Sequence, residues 1–160
     1  METYKELLEL LREKKERFLE YESVTRRMQE ADADHVDTIT DAIGRRQSLI
    51  WQIDTLDDRI VTLCRELPQG ELVYEACKNR CDISSLNQEQ REVYKAGQEI
   101  FLVIGRIKEE EILAAGVMES VVGQLESRIR QNHQGRKFAA GYLNNMKQTM
   151  GSGFLYDTKR

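Results

Sequence analysis

The chain has 160 residues, of which 32% are charged and 40% are hydrophobic, and its formal net charge at pH 7 is −4. This length is typical of one domain, and the interleaving of charged with apolar residues argues for a helical bundle or coiled coil and against a sheet protein. The acidic net charge argues against nucleic-acid binding by the whole molecule. We therefore predict a single all-α domain over residues 1–160.

Two helices are predicted in the first half of the chain. Apolar residues at intervals of three and four predict one helix over residues 2–30 and a second over residues 34–67, with a turn at residues 31–34. The Pro-Gln-Gly sequence that begins at Pro68 ends the second helix. We expect the two helices to fold back on each other as an antiparallel hairpin over residues 1–69.

The charged side chains of these helices are interpreted as solvent-facing. Lys14 and Lys15 interrupt the apolar stripe of the first helix and are expected to reach solvent at the edge of the bundle. Trp51 lies beside the stripe of the second helix and is expected to be half-buried. The second helix also carries a charged face, which we predict to be solvated and rich in ion pairs within the helix; its members are Arg45, Arg46, Asp54, Asp57, Asp58 and Arg59.

A connector over residues 70–86 precedes a third, long helix, predicted over residues 87–150. Asn87 and Gln90 have the spacing of a capping box at its start. Its length would be on the order of 90 Å, and the hairpin helices, at about half that length, cannot cover it. The predicted apolar seam, typical of a coiled coil, is Val93/Tyr94, Gly97, Phe101, Ile104, Ile107/Lys108, Ile112, Ala115, Met118, Val122, Leu125 and Ile129.

The length mismatch predicts a coiled-coil-like three-helix bundle with an overhanging C-terminal half, followed by a flexible tail over residues 151–160. The overhang carries an apolar stripe of Val122, Leu125, Ile129, Phe138, Ala139, Tyr142, Leu143, Met146 and Met150. Such a stripe does not stay bare in water, so it must meet a second copy, a different protein or the chain's own folded-back tail. Glycines and asparagines make this half weakly helical, and we expect it to order when a partner helix docks.

No catalytic constellation is present in the sequence. Cys77 and Cys81 are four residues apart, but Cys64 lies elsewhere in the sequence and the two histidines, His35 and His133, are far apart, so we predict neither a metal site nor a cofactor. The acidic run Glu109, Glu110 and Glu111 is interpreted as a solvated helix face. Phosphate-binding loops, nucleophile elbows and zinc-protease motifs are missing. We therefore predict that the chain is not an enzyme.

The expected location is the cytoplasm. The first residues form neither a basic start nor an apolar run, so no secretory signal is predicted. The longest purely apolar run of the long helix, residues 100–105, is too short to cross a bilayer. Three cysteines are an odd number, which favours reduced thiols in a cytoplasmic protein.

Four stretches resemble the flagellar FlgN-type export chaperones, cytoplasmic proteins that hold hook–filament junction subunits before secretion. These stretches are residues 4–8 (YKELL), 46–59 (RQSLIWQIDTLDDR), 86–91 (LNQEQR) and 153–160 (GFLYDTKR), the last after a helix that contains Tyr142. The resemblance extends over nearly the whole chain. It departs from the family pattern midway along the last helix, where this chain has a lysine followed by three glutamates.

The resemblance implies a function for the overhang. Such chaperones use the C-terminal part of the last helix to bind an amphipathic C-terminal helix of a secreted client, which they deliver to the export apparatus. Here the implied apolar anchors are Val122, Leu125, Ile129, Phe138, Tyr142, Leu143 and Met146. Residues 123–160 contain seven basic and two acidic side chains, a net charge of +5, and Arg128, Arg130, Arg136 and Lys137 are expected to attract acidic client residues.

Two other functions stay open at the level of sequence. The first is a structural coiled-coil adaptor without a client, which would form a homodimer through residues 120–150 and would stay dimeric at low concentration. The second is nucleic-acid binding by the basic end, with Phe138 and Tyr142 as stacking residues, which we rank below the others. We predict no nucleic-acid partner and no membrane span.

Overall fold

The computed structural model describes residues 2–132 and 141–148, which are helical with short connections and contain no strand. The elements are α1 (Glu2–Met28), α2 (Val36–Glu66), α3 (Gly70–Cys77), a 3₁₀ turn (Ile83–Ser85) and α4 (Gln88–Gln131). Residues 141–148 form a further helix, here called α5. The prediction of an all-α protein is therefore confirmed for the described residues. None of their helices is long and apolar enough to cross a membrane.

The start of α4 agrees with the predicted capping box. The Gln90 N–H donates to Asn87 Oδ1 at 2.9 Å, and the Asn87 N–H donates to Gln90 Oε1 at 3.0 Å. Two backbone donors that have no partner within the helix are thereby satisfied.

The end of α4 differs from the predicted helix over residues 87–150, because α4 ends at Gln131. The Asn132 N–H closes the last turn on the carbonyls of Arg128 and Ile129. Asparagine, histidine and glycine, which are weak helix formers, follow at positions 132–135, and this composition favours a helix end there. The predicted tail over residues 151–160 lies outside the described residues.

The described residues divide into two compact units. Unit 1 contains residues 2–20 and 49–106, and unit 2 contains residues 21–48, 107–132 and 141–148. The buried apolar residues of unit 1 include Leu7, Leu11, Phe18, Leu49, Ile53, Val73, Val93 and Val103.

Two lysines predicted at the bundle edge form ion pairs within unit 1. Lys14 Nζ lies 2.5 Å from Asp57 Oδ1 on α2, and Lys15 Nζ lies 3.1 Å from Glu99 Oε2 on α4. Asp57 is therefore part of a largely buried contact between helices rather than of a solvated face. Trp51 is 70% exposed, so the expectation that it is half-buried was wrong.

The seam of α4 follows a different register from the predicted one. Its buried residues recur at intervals of three and four, and two predicted members, Phe101 and Ile112, are 62% and 73% exposed. Five buried positions of residues 93–122 were left out of the predicted seam: Ile100, Val103, Glu111, Ala114 and Val121. The observed seam is Val93, Gly97, Ile100, Val103, Ile107, Glu111, Ala114, Met118 and Val121.

Candidate partner-binding surface

The helix α5 packs on an apolar cluster of unit 2, which we call the unit 2 cluster. Its buried members come from α1, the following turn, α2, α4 and α5; they are Met28, Ala33, Ile39, Ile43, Ala114, Met118, Val121 and Met146. Half-buried apolar residues, among them Leu125 and Tyr142, pack around it. The cluster is thus a site where α1, α2 and α4 receive a further helix of the same chain.

The turn between α1 and α2 shapes one side of this cluster. Asp32 Oδ1 accepts a hydrogen bond from the Asp34 N–H at 2.9 Å and lies 2.7 Å from His35 Nδ1. The hydrogen bond with the His35 side chain, followed by that of the Asp34 backbone, lowers the pKa of Asp32. An aspartate that binds the backbone two residues later is typical of a tight turn, and this turn places Ala33 in the cluster.

Two exposed polar contacts accompany the apolar packing of α5. The Tyr142 hydroxyl hydrogen-bonds the Thr40 hydroxyl on α2. Lys147 Nζ lies 3.0 Å from Glu126 Oε1 on α4. Leu143 and Met146, which are one helical turn apart, are 5% and 4% exposed. The helix is therefore amphipathic, with its apolar side turned inward.

The predicted partner-binding residues differ in their exposure. Val122, Leu143 and Met146 are buried within this chain, while Leu125, Ile129 and Tyr142 are half-buried. The structure brings three of them, Leu125, Tyr142 and Met146, to the unit 2 cluster. Two further predicted residues, Phe138 and Arg136, lie outside the described residues. The three members of the predicted stripe at the unit 2 cluster therefore pack within the chain itself, while the tail over residues 151–160, which could fold back on the stripe, lies outside the described residues.

Arg128 lies at the border of this surface. Its Nη1 donates to the Ala33 carbonyl at 3.3 Å and lies 2.9 Å from Asp34 Oδ1. Both side chains of the ion pair are more than half exposed. Exposed pairs of this kind contribute little to stability, so Arg128 can exchange Asp34 for another carboxylate at small cost.

The polar centre of unit 2 was missed by the sequence reasoning, which predicted Arg46 and Glu111 to be solvated. Both are buried, at 4% and 5% exposure. Arg46 Nη2 lies 2.5 Å from Glu111 Oε1. Burial, opposed by the nearby Arg46 charge, raises the pKa of Tyr21, whose hydroxyl accepts from Arg46 and donates to Glu111 at 2.8 Å. The Arg46 guanidinium also lies 4.6 Å from the centre of the Tyr21 ring.

One signal for this centre was present in the sequence. Glu111 stands four residues after Ile107 and three before Ala114, which is the spacing of a seam position. A buried carboxylate needs a cationic partner, and Arg46 is the charge that the fold supplies. The prediction that both residues are solvated was therefore wrong.

Within residues 2–132 and 141–148, no three His, Cys, Asp or Glu side chains come together as a metal site. Cys64, Cys77 and Cys81 are free thiols. A hydrogen bond between the thiols of Cys64 and Cys77, together with burial, raises the pKa of Cys77. Both side chains belong to unit 1, Cys64 on α2 and Cys77 at the last residue of α3.

Compared with protein-family models, curated proteins and solved structures, the chain matches none.

Proposed function

We propose that the chain is an export chaperone of the FlgN type. It binds the amphipathic C-terminal helix of a secreted hook–filament junction subunit in the cytoplasm, prevents its aggregation and releases it for export, and it catalyses no reaction. The observation that carries the proposal is the docking of α5 on the unit 2 cluster. A surface that receives one amphipathic helix has the shape and apolar character to receive another.

The position of α5 is open to exchange because few of the side chains described for residues 141–148 are buried. Its buried side chains are Leu143 and Met146, and its contacts through Tyr142 with Thr40 and through Lys147 with Glu126 are exposed. A client helix with apolar anchors over three turns would bury more apolar surface than Leu143 and Met146 do and would displace α5.

The basic charge of the C-terminal part of the chain also favours an amphipathic helix as the client. Residues 123–160 have a net charge of +5, and Arg128 and Arg130 are exposed near the end of α4. An amphipathic helix with acidic residues on its polar side would gain these partners during encounter. The proposed client is therefore an apolar-faced, acidic helix.

Binding of a labelled peptide with the C-terminal helix of a hook–filament junction subunit tests the proposal. We expect the fluorescence anisotropy of the peptide to rise on titration with the full chain. The double variant Leu143→Ala/Met146→Ala should lower the Kd about tenfold, because weaker docking of α5 raises the fraction of chain with an open cluster. Leu125→Asp should weaken binding, since it places a charge beside the cluster.

The matched control is Asn144→Ala, which changes an exposed residue of α5 and should leave the Kd unchanged. A Kd that rises in the Leu143→Ala/Met146→Ala variant would show that these residues contact the client directly, as the resemblance implies. The absence of any anisotropy change with the unmodified chain would reject the chaperone function itself.

The alternative function, a homodimeric adaptor joined through residues 120–150, has less support. Val121, Val122, Leu143 and Met146 are buried in this chain, which leaves little of the described part of the predicted dimer seam, residues 120–132 and 141–148, free. An adaptor would also leave the peptide's anisotropy unchanged.

A further inference from the structure

A second apolar surface of unit 2 takes no part in the proposed function. We call it the outer α4 face; it consists of the exposed residues Lys108, Ile112, Leu113, Gly116, Glu119 and Gly123. Intervals of three and four residues place Lys108, Ile112, Gly116, Glu119 and Gly123 on one side of α4. Ile112 and Leu113 are 73% and 61% exposed. Adjacent large aliphatic side chains with this exposure are typical of an interaction surface.

Packing among the described residues does not explain the glycines of this face. A Cβ atom added to Gly116 or Gly123 would have no neighbour within 4 Å, so no contact with residues 2–132 or 141–148 requires glycine there. Each glycine costs up to about 1 kcal/mol relative to alanine inside a helix. Glycine in a helix face does, however, permit the close approach of another backbone or of a large side chain.

The charged residues of the outer α4 face are complementary to those of the same face on a second copy of the chain. Lys108 and Glu119 lie three helical turns apart, and among the described residues neither forms an ion pair. In an antiparallel pair whose two-fold axis lies at the height of residue 114, Ile112 of one copy faces Gly116 of the other. Lys108 then lies within one residue of Glu119 of the other copy, and symmetry repeats the pair. A parallel pair would instead bring Lys108 against Lys108.

We propose that a second copy of this chain packs antiparallel on the outer α4 face. Ile112 of each copy fills the space over Gly116 of the other, and the two Lys108–Glu119 pairs set the orientation. This dimer uses the side of α4 opposite to the unit 2 cluster's seam, so it differs from a dimer through residues 120–150. It does not depend on the chaperone function, because the peptide titration and the oligomeric state are separate measurements.

Sedimentation equilibrium of the full chain over a concentration series tests the dimer. We expect concentration-dependent dimers, and we expect Ile112→Asp to leave only monomers. Lys108→Glu and Glu119→Lys should each raise the dimer Kd about tenfold, because two attractive pairs become repulsive. The double variant Lys108→Glu/Glu119→Lys should return the Kd to that of the unmodified chain, since both pairs are restored with reversed sign.

Lys95→Glu is the control, because it makes the same charge change at an exposed position of α4 outside the face and should not alter the Kd. A chain that is monomeric at every concentration overturns the proposal, even if a client peptide proves to cover Ile112. A dimer that is unaffected by Ile112→Asp, or a double variant as weak as the single ones, overturns it as well. Circular dichroism of each variant confirms that the helices remain formed.

Discussion

Replacement of Arg46 by alanine should lower the free energy of unfolding by about 3–5 kcal/mol, because it leaves a buried carboxylate without its charge partner. The Arg46–Glu111 pair has side-chain exposures of 5% and 7% and a separation of 2.5 Å. The Tyr21 hydroxyl, which bonds to both, would also lose a donor. Urea denaturation monitored by circular dichroism measures the loss, which should appear as a lower midpoint with an unchanged m-value.

A triple variant separates the charge penalty from the packing. Tyr21→Phe/Arg46→Met/Glu111→Leu removes the three polar groups and keeps similar volume, and we expect it to recover most of the stability lost in Arg46→Ala. Buried ion pairs replaced by apolar residues of similar size are often neutral or stabilising. A triple variant less stable than Arg46→Ala would show that the polar centre contributes more than the cost of its burial.

The control for this prediction is Lys15→Ala in unit 1. The Lys15–Glu99 pair has side-chain exposures of 35% and 61%, and exposed pairs contribute at most about 1 kcal/mol. Its loss should therefore be small. A loss in Arg46→Ala no larger than that in Lys15→Ala would contradict the assignment of Arg46 as a buried, paired charge.

The Arg46–Glu111 pair shows why the helices could be predicted from the sequence and the buried seam of α4 could not. Helix starts depend on neighbours in sequence, and the bonds between Asn87 and Gln90 follow directly from their spacing. The register of α4 was ambiguous because adjacent apolar residues, as at positions 100–104 and 112–113, fit two stripes one residue apart. The choice depends on Glu111 meeting Arg46, which is 65 residues away in sequence, and periodicity does not reveal such a contact.

The candidate surface, too, could be predicted from the sequence only in part. An apolar stripe in residues 122–146 followed from spacing, and three of its members do lie at the unit 2 cluster. What covers the stripe did not follow from the sequence. The position of α5 depends on the end of α4 at Gln131 and on contacts such as Tyr142 with Thr40, which lie 102 residues apart.

The second large effect is expected at Gly97, where α3 and α4 of unit 1 come into close contact. A Cβ atom at this position would lie 2.2 Å from the Cys77 carbonyl oxygen and 2.8 Å from the Cys77 carbonyl carbon. These are backbone atoms of the last turn of α3, so no side-chain rotation relieves the clash. Gly97→Ala should therefore lower the free energy of unfolding by about 2 kcal/mol or more, despite the better helix propensity of alanine.

Gly105→Ala provides a control of opposite sign on the same helix. A Cβ atom at Gly105 would have no neighbour within 4 Å, so alanine should raise the free energy of unfolding by up to about 1 kcal/mol. Urea denaturation of both variants measures the two effects side by side. If α3 were only loosely attached to α4, it would move away from alanine at position 97, and both variants would be stabilised. A loss at Gly97 with a gain at Gly105 would instead show that α3 is held against α4 at the distance the glycine permits.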